Sequence, residues 1–207
     1  MGVSFLWLWV RSFVLRPGLR RKGVFMAKVI AYMANGLEEV ECLAVVDVLR
    51  RAGVEVILAS IHDGKKIEGS HHIFIGADAL AKDVDASDAD LIFLPGGMPG
   101  TRYLGECSIV TDAVKQAAAD GRRVAAICAA PSVLGELHLL EGRKATCYPG
   151  FEDKLYGAHH VSDGVVTDGN ITTCRGLGYA IALGLELVKL LISEEKSLEI
   201  KAAIQRD

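Results

Sequence analysis

The chain of 207 residues carries a formal net charge of −3, with 51% hydrophobic and 6% aromatic residues, enough apolar material for one globular domain with a substantial core. With no basic block beyond the extreme N-terminus, it lacks the electrostatic footprint of a nucleic-acid binder. Its five cysteines lie at irregular spacings without a C-x-x-C pair, which fits free thiols in a reducing cytoplasm better than a disulfide framework or a zinc site.

Residues 1–25 do not match the rest. The run Val3–Val10 includes Phe5, Leu6, Trp7, Leu8 and Trp9 and is followed by Arg11, Arg16, Arg20, Arg21 and Lys22. No positive charge precedes the apolar run, as a signal peptide would require. Arg11 interrupts it well short of the roughly 20 apolar residues of a membrane span. Met26-Ala27-Lys28-Val29-Ile30 reads as a natural protein start leading into a strand. We therefore expect residues 1–25 to be a non-native or disordered extension, residues 26–207 to form the domain, and no membrane association.

From Lys28 the chain alternates apolar runs with helical periods. Val29–Met33 predicts a strand, and the spacing of Leu37, Val40, Ala44, Val45 and Val48 predicts a helix from about Leu37 to Ala52 with that stripe facing the core. Val54–Ser60 is the next strand. Lys65–Ala77 supplies one or two shorter ones, and Leu91–Leu94 is a fully apolar strand ending in Pro95-Gly96-Gly97. Ser108–Asp120 reads as a helix with Ser108 as its N-cap. Val124–Ile127 is a strand that runs through Cys128 into a helix carrying Pro131 in its first turn. Strand character returns at Lys144–Cys147, a hairpin-like region covers Val161–Thr173, and helices close the chain at about Gly178–Ile192 and Ser193–Ile204. Such alternation implies an α/β fold with a mainly parallel sheet covered on both faces, whose ligands bind beyond the strand carboxyl ends. Met33–Gly36, Pro95–Gly97, Cys128 and Thr173–Gly176 all stand at such ends.

Cys128 is the main candidate. A cysteine between strand and helix occupies a sharp turn and meets the unpaired N–H groups of the helix, whose dipole favours thiolate over thiol. The competing reading is a small buried hydrophobe. Glu41 lies on or beside the buried face of the first helix, where burial raises a carboxyl pKa and a protonated Glu can donate a hydrogen bond to a thiolate. Glu38 and Glu39 read instead as half-exposed first-turn residues favoured by the helix dipole. Amides of Gly96, Gly97 and Ala129 are candidates for holding an oxyanion, and the run Arg175-Gly176-Leu177-Gly178 either positions an anion or packs its helix close to the sheet. Neither G-x-G-x-x-G after the first strand nor a phosphate loop is present. His138, His159 and His160 fall outside these motifs and read as structural or surface residues.

Together, Asn35-Gly36-Leu37-Glu38-Glu39-Val40-Glu41, Asp47–Gly53, Leu94-Pro95-Gly96-Gly97, Ala125–Pro131 and Thr173–Gly178 resemble the ThiJ/PfpI superfamily, and within it the Parkinsonism-associated deglycase branch. The resemblance implies a flavodoxin-like α/β/α sandwich of the class I glutamine amidotransferase-like type, usually a homodimer. It also implies a reactive, oxidisable cysteine at Cys128 assisted by Glu41, and no metal or cofactor. The implied activity is cysteine-dependent conversion of reactive carbonyls, either of glyoxal and methylglyoxal to hydroxy acids or by deglycation of early glycation adducts. The alternative is a redox-sensing or chaperone-like stress protein with little turnover. Two positions depart from the family pattern. Tyr148 stands where several members carry a histidine, and an unperturbed tyrosine, titrating near ~10, is a poor general base at neutral pH. His71 replaces an arginine.

Overall fold

The computed structural model describes residues 26–206; the expected N-terminal extension lies outside the described residues. A seven-stranded sheet forms the centre. In chain order its strands are β1 (Lys28–Met33), β2 (Glu55–Ser60), β5 (Ala79–Leu80), β6 (Leu91–Leu94), β7 (Arg123–Ile127), β10 (Val165–Asp168) and β11 (Ile171–Cys174). Two small sheets stand apart: β3 (Lys66–Glu68) with β4 (Phe74–Gly76), and β8 (Lys144–Ala145) with β9 (His159–His160). The central order is β10-β11-β7-β6-β1-β2-β5, parallel throughout except for the β10–β11 hairpin.

Period-two alternation along β1 divides the core. Val29, Ala31 and Met33 point into a layer shared with α1 (Glu39–Arg51), α5 (Ala180–Leu191) and α6 (Glu194–Ala203). Ile30 and Tyr32 point to the opposite layer, with α2 (Gly100–Glu106), α3 (Ser108–Ala119) and α4 (Pro131–Glu136). Both faces are covered, so the central strands are buried along nearly their whole length. This is the mainly parallel α/β/α sandwich expected from the sequence.

Several local expectations need correction. Helix α1 starts at Glu39 rather than near Leu37, because the Glu38 side chain caps it by accepting the Glu41 N–H at 2.5 Å. The helix is also rotated from the predicted stripe. Leu37, Val45 and Val48 are buried as expected, but Cys42, Val46 and Leu49 join them, Ala44 is only partly buried and Val40 is 49% exposed. Cys107, not Ser108, caps α3, without a side-chain bond. The short helix α2, which carries two glycines and little apolar periodicity, has no counterpart in the sequence reading. Strand character at Lys144–Cys147 stops at Ala145, since the Thr146 N–H turns to Thr173 Oγ1 at 2.9 Å instead of continuing a ladder.

Candidate active site

The four strand ends singled out above converge. The Cys128 N–H donates to the Cys174 carbonyl at 2.8 Å, and the Glu38 N–H donates to the Gly96 carbonyl at 2.9 Å. These bonds tie the loop after β7 to that after β11 and the loop after β1 to that after β6, and Gly96 packing against Cys128 and Glu41 brings the two pairs together at one edge of the sandwich. Cys128 follows β7 directly and holds a left-handed backbone with φ of 65°. For a residue with a Cβ this conformation costs roughly 1–3 kcal/mol and persists only where the surroundings enforce it. The side chain is partly exposed, so the reading of a fully buried hydrophobe does not hold.

Glu41 faces the cysteine from α1 and is 1% exposed. Its carboxyl interacts with the Cys128 thiol through hydrogen bonding and charge. Burial, assisted by the neighbouring Glu38 charge, raises Glu41 to about 7 against the bonds it receives from Cys128 and the backbone at Leu177 and Gly96. Among the described residues its Oε2 is buried without a hydrogen-bond partner. Gly96 makes the approach possible, since a Cβ there would run into Glu41 Oε2 and stand 2.5 Å from Cys128 Cβ.

The helix dipole does not by itself set the thiol. Burial first, and then the Glu41 charge and hydrogen bond, push Cys128 up to about 12, while backbone hydrogen bonds from Gly97 and Ala129 pull it down. The following helix α4 is short and starts only at Pro131, too far along to dominate. Cys128 and Glu41 therefore compete for protons as a coupled pair. Of the three amides proposed for an oxyanion, those of Gly97 and Ala129 address the sulfur; that of Gly96 serves the Glu41 carboxyl.

Tyr148 is tied to the cysteine through the backbone, its N–H donating to the Cys128 carbonyl at 2.8 Å. Arg175 turns away: its side chain reaches the Ser162 carbonyl at 3.5 Å and its N–H bonds Gly164, so it contributes to packing at this edge. Glu38 acts as the helix cap and is buried, and Glu39 is 2% exposed, so neither is the half-exposed residue expected. Glu39 accepts the His71 N–H at 2.7 Å on Oε1 and contacts His71 Nδ1 at 2.8 Å through Oε2. Sequence spacing could not reveal this pair, because the β3–β4 hairpin folds back over α1. Glu38, Glu39 and His71 each bring a potential metal-ligand atom within 4.8 Å of one another. The Glu39 and His71 atoms are already committed to each other and to the backbone.

That pair makes stability pH-dependent. Burial alone would raise Glu39, but the His71 side chain and backbone N–H groups outweigh it and lower the carboxyl to about 2 from 4.5, while the hydrogen bond to Glu39 raises His71 above 6.5. Glu39's contribution is complete above 4.5 and is lost as pH falls towards 2; His71's is complete below 6.5 and is lost as pH rises through its elevated value. Urea midpoints of His71→Ala should fall furthest below wild type near pH 5.5 and converge with it on either side. Parallel midpoint curves would exclude this linkage.

A parallel α/β/α sandwich with an elbow cysteine beyond its strand ends, faced by a buried glutamate, defines a cysteine-centred member of the class I glutamine amidotransferase-like fold. The chain belongs to the DJ-1/PfpI family, whose description matches residues 27–190. It is 41% identical over 179 residues to Protein DJ-1 homolog B of Arabidopsis thaliana, covering 86% of this chain but only 41% of that relative's length. It is 34% identical over 164 residues to the glutathione-independent glyoxalase DJR-1.2 of Caenorhabditis elegans, covering 77% of this chain and 86% of the relative. Among solved structures, oxidized Toxoplasma gondii DJ-1 superposes with a TM-score of 0.84 at 35% identity, covering 87% of this chain and 98% of that one.

Proposed function

We propose that the protein converts small reactive carbonyls to hydroxy acids through Cys128. The observation that carries this reading is the Glu41–Cys128 pair beneath the Gly97 and Ala129 amides. The Cys128 sulfur attacks the aldehyde carbon of a glyoxal, forming a C–S bond while the carbonyl oxygen gathers charge beside those amides and is then protonated. Glu41 moves a proton from that carbon to the adjacent one, so the first carbon is oxidised as the second is reduced. Water then cleaves the thioester, returning the thiol and releasing a hydroxy acid. Oxidation and reduction balance within the substrate, so the cycle needs no external redox partner. Deglycation of early glycation adducts would use the same attack on a masked aldehyde. A relative bearing a glyoxalase name supports the reading, and the test is lactate formation from methylglyoxal with Cys128→Ser as control.

The redox reading draws support from Tyr148 in place of a histidine. Cys128 is partly exposed beside two N–H donors, and such an environment would also accept the oxygens of an oxidised sulfur. Exposure of mild peroxide products to mass spectrometry separates the two readings, since oxidation at Cys128 without turnover would favour sensing.

The working unit proposed is a cytoplasmic homodimer. No helix among the described residues is long and apolar enough to cross a membrane. Val40 and Leu43 on α1, Ile73 and Phe74 at the β3–β4 hairpin, and Ile181 on α5 are large apolar side chains left exposed, of the kind a second copy would cover. Sedimentation should give twice the 22.2 kDa chain mass. A species of single-chain mass at micromolar concentration would overturn the dimer.

A further inference from the structure

We propose that Tyr148 is a specificity-determining residue that makes the site prefer oxo-aldehydes bearing a planar aryl group over those bearing a methyl group. The inference rests on the carbonyl reading of Cys128 and deepens it. Tyr148 is pinned on both sides of its backbone. Its N–H donates to the Cys128 carbonyl at 2.8 Å, and its own carbonyl accepts the Phe151 N–H at 3.1 Å. The intervening Pro149-Gly150, with Gly150 at φ of 97°, forms the turn that Pro and Gly favour at its central positions.

While the backbone is fixed, the residue stays 51% exposed. Among the described residues no other ring and no cation stacks on it. One ring edge borders the reaction site: a Cβ placed on Gly176 would lie 3.4 Å from Tyr148 Cδ2 and 3.7 Å from Glu41 Oε1. The bare Gly176 backbone thus leaves the phenol ring and the proton-carrying carboxyl close to one point. Leu177, 50% exposed, extends the apolar rim, and its backbone is bonded to Glu41. For a substrate whose aldehyde carbon reaches Cys128 beside Glu41, this rim is apolar surface on which its substituent can rest. A methyl group is too small to gain from the ring, whereas an aryl group can lie against it in offset or edge contact. What the phenol ring offers at this position is a broad apolar face.

The test compares phenylglyoxal with methylglyoxal as substrates, and 2-bromoacetophenone with bromoacetone as Cys128 alkylating agents followed by intact mass, in wild type, Tyr148→Ala and Tyr148→Phe. The expected result is a fall of about tenfold in the aryl-to-methyl ratio of both kcat/KM and alkylation rate in Tyr148→Ala, carried by KM rather than kcat. Tyr148→Phe, which retains the ring, should preserve the ratio. An unchanged ratio in Tyr148→Ala, or an equal loss in both variants, would overturn the inference. The alkylation arm needs no turnover, so a wild type that fails to make hydroxy acid refutes the carbonyl reading alone and leaves the ratio to decide the role of Tyr148.

Discussion

Cys128→Ser is expected to reduce hydroxy-acid formation from methylglyoxal by about 1000-fold or more, to the level of the uncatalysed reaction. Serine keeps the size and the elbow backbone at φ of 65°, so the variant should fold. What it loses is nucleophilicity: a hydroxyl ionises far above a thiol, and the carboxyl opposite it, lying near 7, is too weak a base to ionise an alcohol. The measurement is enzymatic detection of lactate, with circular dichroism to confirm folding. A folded serine variant that still turns over near the wild-type rate would remove Cys128 from the mechanism and with it the proposed function.

Glu41→Gln is expected to lower turnover by about 100-fold, the scale of a lost general acid–base group, and to simplify the pH dependence of Cys128 alkylation. In the wild type the carboxyl holds its proton below about 7 because it is buried, and in that state it can donate to the sulfur. Above that pH its charge opposes a second negative charge on Cys128, one of the causes that push the thiol up to about 12. Wild-type reactivity should therefore show an inflection near neutrality and rise less steeply above it than a solitary thiol would. Glutamine preserves the shape but has no proton to lose, so the variant should follow a single ionisation. Retention of the neutral inflection in Glu41→Gln would assign that titration to another group and remove Glu41 from the proton transfers.

The balance between these groups shows where sequence reasoning succeeds and where it stops. The position of Glu41 on the helix and that of Cys128 between strand and helix were both legible from spacing, because an amphipathic period and an apolar run ending at a turn are local properties of the chain. The direction of the Cys128 shift was not. It follows from how deeply α1 seats its carboxyl against the sulfur, and burial is a property of the packed layers. Val40 makes the same point: its spacing placed it on the core face, but the packed helix buries Cys42, Val45, Val46, Val48 and Leu49 and leaves Val40 outward.

From the sequence alone came the alternation of strands and helices, the parallel sheet covered on both faces, the convergence of four loops at the strand ends, and Cys128 and Glu41 as candidates. All of these depend on residue type at short range, where backbone geometry leaves few options. The tertiary structure decided which amide serves which group, that Arg175 points away from the site, that the Tyr148 ring edge borders Gly176 close to Glu41, and that Glu39 is held buried by His71 from a distant hairpin. These contacts join residues far apart in the chain, and their distances and desolvation exist only once the layers have closed.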